Sequence, residues 1–319
     1  MVKSVSIIIP VNGEAPFLAD AIASVERQTF REFELLIVLD RPSEETRSFV
    51  ESLAKKDFEL KVLESNQPGI SAALNQGILT TESKYIARLD SDDLMQPTRL
   101  QIQMSELEKN PNLACIGSQV EYIDEEGRST GHSSLPTSAW QVRSMMPTLN
   151  CLMHPSVMIR RSALVSAGGY REYLDGVEDY NLWLRLLRFG SIKNHKEYLT
   201  KYRRHPAQVT QANFSIYPWL DSLARLDALK QQFPSGARVW SAYLKSVKVN
   251  ELEPLVRRLE SQATSLWTTN RLRSSRSFSL YFVGPRNERF KNVLKSLIRT
   301  PLRTFWLALL VTVQKVKSL

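Results

Sequence analysis

The sequence predicts an α/β protein: a mostly parallel sheet flanked by helices, followed by a helical, basic C-terminal extension. Three observations carry this. Apolar runs alternate with amphipathic helical patterns through the first hundred residues, the pattern of βα units and of a sheet covered on both faces. Each apolar run stops at a polar residue. The charge balance also changes along the chain: residues 1–229 hold 25 Lys and Arg against 29 Asp and Glu, and residues 230–319 hold 17 against 4. A mildly acidic body thus carries a strongly basic tail, which points to an anionic partner surface for the tail.

The elements follow in order. Val5–Val11 (VSIIIPV) is a continuous apolar run, which suits a strand buried on both faces. Pro16 opens a helix with Leu18, Ala21, Ile22 and Val25 on one face. Glu34–Leu39 (ELLIVL) is the second strand, and 43–56 the second helix, with Glu44 and Glu45 in the first turn where the helix dipole favours them. Leu60–Leu63 is a short third strand and Ile70–Leu79 a helix rich in small residues. Tyr85–Leu89 is the fourth strand, and Pro97 opens a third long helix. From about 113 the pattern loosens. CIGSQVEYID reads as a strand, DEEG as a turn and 128–150 as loop-rich. HPSVMIRRSAL reads as extended, AGGY as a turn, and GVEDYNLWLRLLRFG as a helix from Glu178 with Leu182, Leu186 and Phe189 on one face and Gly190 as its stop. Residues 214–290 are expected to be mostly helical.

With 319 residues, 43% of them hydrophobic and 24% charged, the chain suits one large domain or a domain with an appendage. Two cysteines, Cys115 and Cys151, make no disulfide framework and fit a reducing cytoplasm. The N-terminal apolar run is too short for a signal peptide, so export is not expected.

In open parallel sheets ligands bind beyond the carboxyl ends of the strands. Those ends carry Asn12 and Glu14, Asp40, Asn66, and then Asp90 with Asp92. Asp90-Ser91-Asp92-Asp93 on its own reads as a solvated acidic turn. After three βα units with polar strand ends it reads as a divalent-cation site for a nucleotide diphosphate, since Mg²⁺ or Mn²⁺ takes oxygen ligands from one or two carboxylates and substrate phosphates. Glu178-Asp179 serves either as dipole-compensating acids of a first turn or as a general base. In YRRHPAQVT (202–210), His205 is either incidental to a basic surface loop or a metal ligand. There is no GxGxxG after the first strand, no GxxxxGK[ST] and no GxSxG, which counts against a dinucleotide dehydrogenase, a P-loop NTPase and an α/β hydrolase.

Taken in series, these segments resemble a family 2 glycosyltransferase of the GT-A fold, the Rossmann-like nucleotide-diphospho-sugar transferase fold. The resemblance covers roughly residues 4–211. It rests on VSIIIPVNGEAPFLADAIASVERQTFREFELLIVLD, NQPGISAALNQGI, YIARLDSDD (a DXD motif), HPSVMIRRSALVSAGGY, GVEDYNLWLRL (an ED motif) and YRRHPAQVT, six segments in the family's order. It implies a catalytic domain over 1–211, with a nucleotide-binding half to about 112 and an acceptor half from 113, and a helical basic extension over 212–319. It implies that Pro10, Asn12 and Glu14 line the nucleoside pocket, that Asp40 reads the base, that Gly69 belongs to the glycine-bearing loop at the nucleotide sugar, and that Asp90 approaches the ribose. Asp92 would bind the metal, Mn²⁺ or Mg²⁺, with His205 where such enzymes often place a C-terminal metal-binding histidine. Asp93 is assigned to the turn before Pro97. Asp179 would be the general base and Glu178 its acceptor-facing neighbour. A UDP-sugar is the favoured donor, with dTDP- and GDP-sugars as alternatives; the acceptor would be a saccharide or lipid-linked saccharide.

Three departures stand out. Val11 replaces the usual aromatic before Asn12, the turn after the second strand has one acid in Leu39-Asp40-Arg41-Pro42, and no QxxRW is present, which argues for single-sugar transfer. In the tail, FWLALLVTV (305–313) is nine residues long, short of the roughly 20 that span a bilayer. With Arg299, Arg303, Lys315 and Lys317 flanking it, 290–319 resembles an interfacial anchor for an anionic membrane, or else a helix packed on the protein. The expected setting is the cytoplasm, peripheral at the inner face of the plasma membrane of a bacterium assembling lipopolysaccharide, capsule or exopolysaccharide. Two alternatives fit less well: a nucleotidyltransferase, which would want a lysine-bearing phosphate loop that 7–17 lacks, and a non-catalytic binding module, which needs neither acidic motif. Nucleic acid is not an expected partner.

Overall fold

A computed structural model describes residues 3–53, 58–147 and 149–206, together with Ala224, Asp227 and Ala228. The chain divides into two compact units, Met1–Leu220 and Asp221–Leu319, and the elements below belong to the first. The helices expected over 214–290 and the segment 290–319 fall outside the described residues, those three apart.

The elements run β1 (Val5–Gly13), α1 (Leu18–Glu26), β2 (Phe33–Pro42), α2 (Glu44–Glu51), β3 (Glu59–Glu64), α3 (Ile70–Thr80), β4 (Tyr85–Arg88), β5 (Leu94–Met95), α4 (Arg99–Lys109), β6 (Leu113–Ile123), β7 (Ser129–His132), α5 (Ala139–Met145), β8 (Met158–Arg160), α6 (Arg161–Ser166), α7 (Glu178–Leu186) and β9 (Ser191–Arg203). Among the described residues they form one nine-stranded sheet in the order β3-β2-β1-β4-β8-β6-β9-β5, with β7 on β6. The pairs β1–β2, β1–β4, β2–β3 and β6–β9 are parallel. Strand β8 runs antiparallel to both β4 and β6. So β1, β2, β3, β4, β6 and β9 all point one way, and their carboxyl ends share one edge. That edge gathers Asn12, Asp40, Arg88 with the acidic turn after it, Ile123 and Arg203.

Both faces of the central strands are covered. Val5, Ile7, Ile8, Ile9, Leu35, Leu36 and Ile37 are all fully buried, as continuous apolar runs require in a parallel sheet. α3 lies close on β1: a Cβ on Gly77 would come within 2.9 Å of the Ile8 side chain, so only glycine permits that approach. One charged group sits inside this layer. Glu34 accepts hydrogen bonds from Ser6 (2.6 Å), Thr81 (2.5 Å) and Lys61 (2.6 Å). Burial opposes its charge, yet these partners hold the carboxyl below its usual range.

The structure departs from the sequence pattern in the second half. The stretch read as extended, HPSVMIRRSAL, is a 3₁₀ turn at His154–Ser156, a three-residue strand and then helix α6. Its alternation is too short to hold a strand once Arg161 turns away. The loop-rich 128–150 contains β7 and α5, the latter started by a capping box in which Ser138 and Gln141 bond each other's backbone. α7 stops at Leu186 rather than reaching Phe189, whose ring is 41% exposed.

Candidate active site

On the nucleotide side, three residues singled out from the sequence are drawn together. Asn12 and Asp40 are register partners on β1 and β2. The Asn12 amide donates to the Asp40 carboxylate (2.8 Å) and carbonyl (3.1 Å), and the Gly69 N–H donates to the same carboxylate at 2.8 Å. Burial works against the Asp40 charge, but Arg41, the Gly69 N–H and Asn12 outweigh it and keep the carboxyl below its usual range. Gly69 has φ +111°, and a Cβ there would run into the Asp175 carboxylate, so the position needs glycine. Asp175 itself accepts from the Ser71 N–H at 3.2 Å, which ties the loop before α7 to the start of α3. Pro10 lies half-buried on β1 and Glu14 exposed just past its end; neither joins this hydrogen-bond set.

The acidic turn follows β4. Asp90, Asp92 and Asp93 each offer an oxygen, and these lie within 4.8 Å of one another. His205, more than a hundred residues on, reaches the cluster: its Nε2 is 2.9 Å from Asp92 Oδ2, and its ring sits 5.3 Å from that of Phe17. Asp93 is fully buried. Its Oδ1 accepts the Arg203 N–H at 2.8 Å, while Oδ2 has no hydrogen-bond partner among the described residues. Burial first, then Asp92 and Asp90, push the Asp93 carboxyl well above its usual range. Asp90 forms an ion pair with the buried Arg88 guanidinium. Burial still raises its affinity for a proton, with Arg88 pulling the other way and the charges of Asp92 and Asp179 adding to the rise. The charge of Asp179 is thus felt at Asp90. The donor set fits a hard divalent cation: clustered carboxylate oxygens, an imidazole, and an orphaned buried carboxylate oxygen beside them.

Glu178 and Asp179 occupy the first turn of α7. Asp179 accepts from the Asn150 amide at 2.9 Å and from the Tyr180 N–H at 2.6 Å. Glu178 is buried and accepts the Gly176 N–H at 2.6 Å. Burial and then the neighbouring Asp179 push its pKa up to about 8. His154 lies 3.8 Å from Glu178 and 2.9 Å from the Tyr170 hydroxyl. Burial and then Arg88 keep the imidazole neutral well below the usual histidine range. Each carboxylate therefore has its own environment, Glu178 buried with a raised pKa and Asp179 hydrogen-bonded and partly exposed.

Sequence reasoning missed Arg88, His154, Tyr170, Asn150, Asp175 and Arg203. Arg88 carried a signal: a lone cation inside YIARL, two residues from Asp90. Arg203 lies in YRRHPAQVT, for which a basic surface loop is one of two readings; its side chain is 2% exposed at the end of β9.

The acidic cluster and the Asn12–Asp40–Gly69 set lie at the carboxyl ends of the parallel strands, where open α/β sheets bind their ligands. Residues 6–166 match glycosyl transferase family 2, and the chain belongs to that family. It is 32% identical over 189 residues to the amylovoran biosynthesis glycosyltransferase AmsE of Erwinia amylovora, covering 58% of this chain and 70% of that protein. It is 28% identical over 217 residues to the O-antigen biosynthesis glycosyltransferase WbnJ of Escherichia coli, covering 67% and 84%. An uncharacterized glycosyltransferase of Haemophilus influenzae is 26% identical over 216 residues, 65% of this chain and 67% of that one. Among solved structures, S. aureus TarS 1-349 in complex with UDP-GlcNAc superposes with a TM-score of 0.60 at 16% identity, over 99% of this chain and 90% of that one; this likeness defines the GT-A fold. The chain is a glycosyltransferase using a nucleotide-sugar donor, with relatives in polysaccharide biosynthesis. Among the described residues, no helix is long and apolar enough to cross a membrane.

Proposed function

We propose that the enzyme is a metal-dependent, inverting glycosyltransferase that moves one sugar from a nucleotide-diphosphate sugar to a hydroxyl of a glycan or lipid-linked saccharide during assembly of a bacterial surface polysaccharide. The observation that carries this is the meeting of Asp92 with His205 at 2.9 Å, which joins the acidic turn to a residue more than a hundred positions on. Asn12, Asp40 and Gly69 hold the nucleoside end and Asp90 meets the ribose. Asp92 and His205 would hold Mn²⁺ or Mg²⁺, which supplies electrostatic stabilisation for a diphosphate leaving group.

Asp179, steadied by Asn150, takes the proton from the acceptor hydroxyl. That oxygen bonds to the anomeric carbon on the face opposite the nucleotide, and the C–O bond to the diphosphate breaks, so configuration inverts. General-base help of this kind contributes about 10²–10⁴-fold. Glu178, protonated at neutral pH, offers the acceptor a hydrogen-bond donor instead of a second negative charge.

UDP-sugars lead as donors, with dTDP- and GDP-sugars next. The basic tail and the apolar 305–313 segment would hold the enzyme peripherally on the inner, anionic face of the plasma membrane, where a lipid-linked acceptor resides. The test is a thermal-shift screen of nucleotide sugars with and without Mn²⁺. Metal-dependent stabilisation by one nucleotide class is expected; no response to any nucleotide would overturn the reading.

A further inference from the structure

We infer that Arg203 is a positioning residue that locks the Asp90–Asp93 turn and His205 into one cation-holding geometry. Its guanidinium is 2% exposed. Nε donates to the Asp92 carbonyl at 2.9 Å. Nη1 donates to the Glu125 carbonyl at 2.6 Å and the Asp124 carbonyl at 3.3 Å. Nη2 meets Asp20 Oδ2 at 3.1 Å, and the plane lies 4.3 Å from the centre of the Phe17 ring. The Arg203 backbone N–H holds the Asp93 carboxylate at 2.8 Å. One residue thus fastens the acidic turn, the turn after β6 and the first turn of α1.

The chemistry matches the residue type. Arginine presents up to five donors in a rigid fork, so it can satisfy carbonyls from two separate turns at once, where lysine offers a single point. A buried cation is costly unless paired, and Asp20 supplies the countercharge from the exposed side. A residue serving only to fill space would not need to meet three carbonyl oxygens on two turns. Nor is the effect confined to the turn. His205 stands two residues on, its imidazole on Asp92 and against the same Phe17 ring that Arg203 covers. Fixing Arg203 therefore fixes both proposed cation ligands relative to each other. The metal part of this inference rests on the function proposed above; the loop-holding part does not.

The test compares the full-length wild type with Arg203→Lys, Arg203→Gln and Asp20→Asn. Hydrogen exchange is followed at residues 91–95 and 124–128, and Mn²⁺ binding by the loss of the free-ion electron paramagnetic resonance signal. In Arg203→Lys the exchange at both turns should rise about tenfold, with α3 and β1 at wild-type rates, since local opening reports the lost clamp. Mn²⁺ should bind about tenfold more weakly, the order seen when residues that orient metal ligands are lost. Asp20→Asn should change both by less than about threefold, its bond being an exposed arm of the clamp. Unchanged exchange at the two turns, a uniform rise across the chain, or an unaltered Mn²⁺ affinity once the turns have loosened would overturn the inference. So would failure of both Arg203 variants to fold, which would make the residue purely structural. A wild type that binds no Mn²⁺ refutes the metal reading, while the exchange measurements still decide whether Arg203 holds the turns.

Discussion

Replacing Glu178 by glutamine should stabilise the folded enzyme above neutral pH and leave it nearly unchanged in mild acid. The carboxyl is 5% exposed, and burial, then Asp179, raise its pKa from 4.5 to about 8. A carboxyl that holds its proton more tightly in the folded state costs stability as pH rises. The cost is absent below about 4.5, grows through the window between the two values, and is complete above about 8. At about 1.4 kcal/mol per pH unit the upper bound is about 5 kcal/mol; relaxation of the protein around a buried charge brings the expected gain to about 2–3 kcal/mol. Glutamine is nearly isosteric, and its carbonyl oxygen can still accept the Gly176 N–H that Glu178 holds at 2.6 Å. Urea denaturation followed by tryptophan fluorescence at pH 5 and pH 9 reads the effect directly. A variant less stable than wild type by the same amount at both pH values would refute the reasoning, because a pH-independent difference means that folding does not shift the carboxyl's pKa.

Four further outcomes are expected. Asp179→Asn should lower turnover by about 10²–10⁴-fold while leaving donor affinity near wild type, checked by kinetics alongside calorimetry; equal loss of both would sink the base assignment. Asp92→Ala should remove the Mn²⁺-dependent part of nucleotide binding, and a calorimetric affinity that still rises with Mn²⁺ would contradict it. Gly69→Ala puts a Cβ into the Asp175 carboxylate at φ +111°; a loss of about 1–3 kcal/mol is expected from the strained backbone alone, read as a lower urea midpoint, and an unchanged midpoint would count against the closeness of that contact. Full-length protein should sediment with anionic liposomes at low salt and be released at high salt, whereas a chain truncated before residue 290 should stay in the supernatant in both.

The nucleotide half was legible in the sequence because it is built from long, continuous apolar runs. Val5–Val11 and Glu34–Leu39 announce buried parallel strands, and the polar residues that end them mark the binding edge without any tertiary information. The acceptor half was less so. β8 is three residues long and lies between an 3₁₀ turn and α6, so no periodicity has room to appear. Helix α5 did carry a readable signal, the Ser138 and Gln141 capping box, inside a segment otherwise rich in loop residues. At the site, the clustered acids stood out once the βα units before them placed them at a strand end. The groups that organise them did not: Arg203 meets Asp92 across 111 positions of sequence, and His154 is distinguished only by the burial that keeps it neutral. The residues left His205 open between an incidental histidine and a metal ligand, since spacing says nothing across so long a separation, and the family resemblance favoured the ligand; its place beside Asp92 is a product of β9 running parallel to β6 along the same sheet.

Release of nucleotide diphosphate from a panel of nucleotide sugars, measured for wild type and Asp179→Asn with Mn²⁺ and with a chelator, tests the account most directly. Wild type should release nucleotide from one donor class only when metal is present, and Asp179→Asn should bind that donor but turn it over at least about a hundredfold more slowly. Metal-independent release, or equal rates in the two proteins, would contradict it.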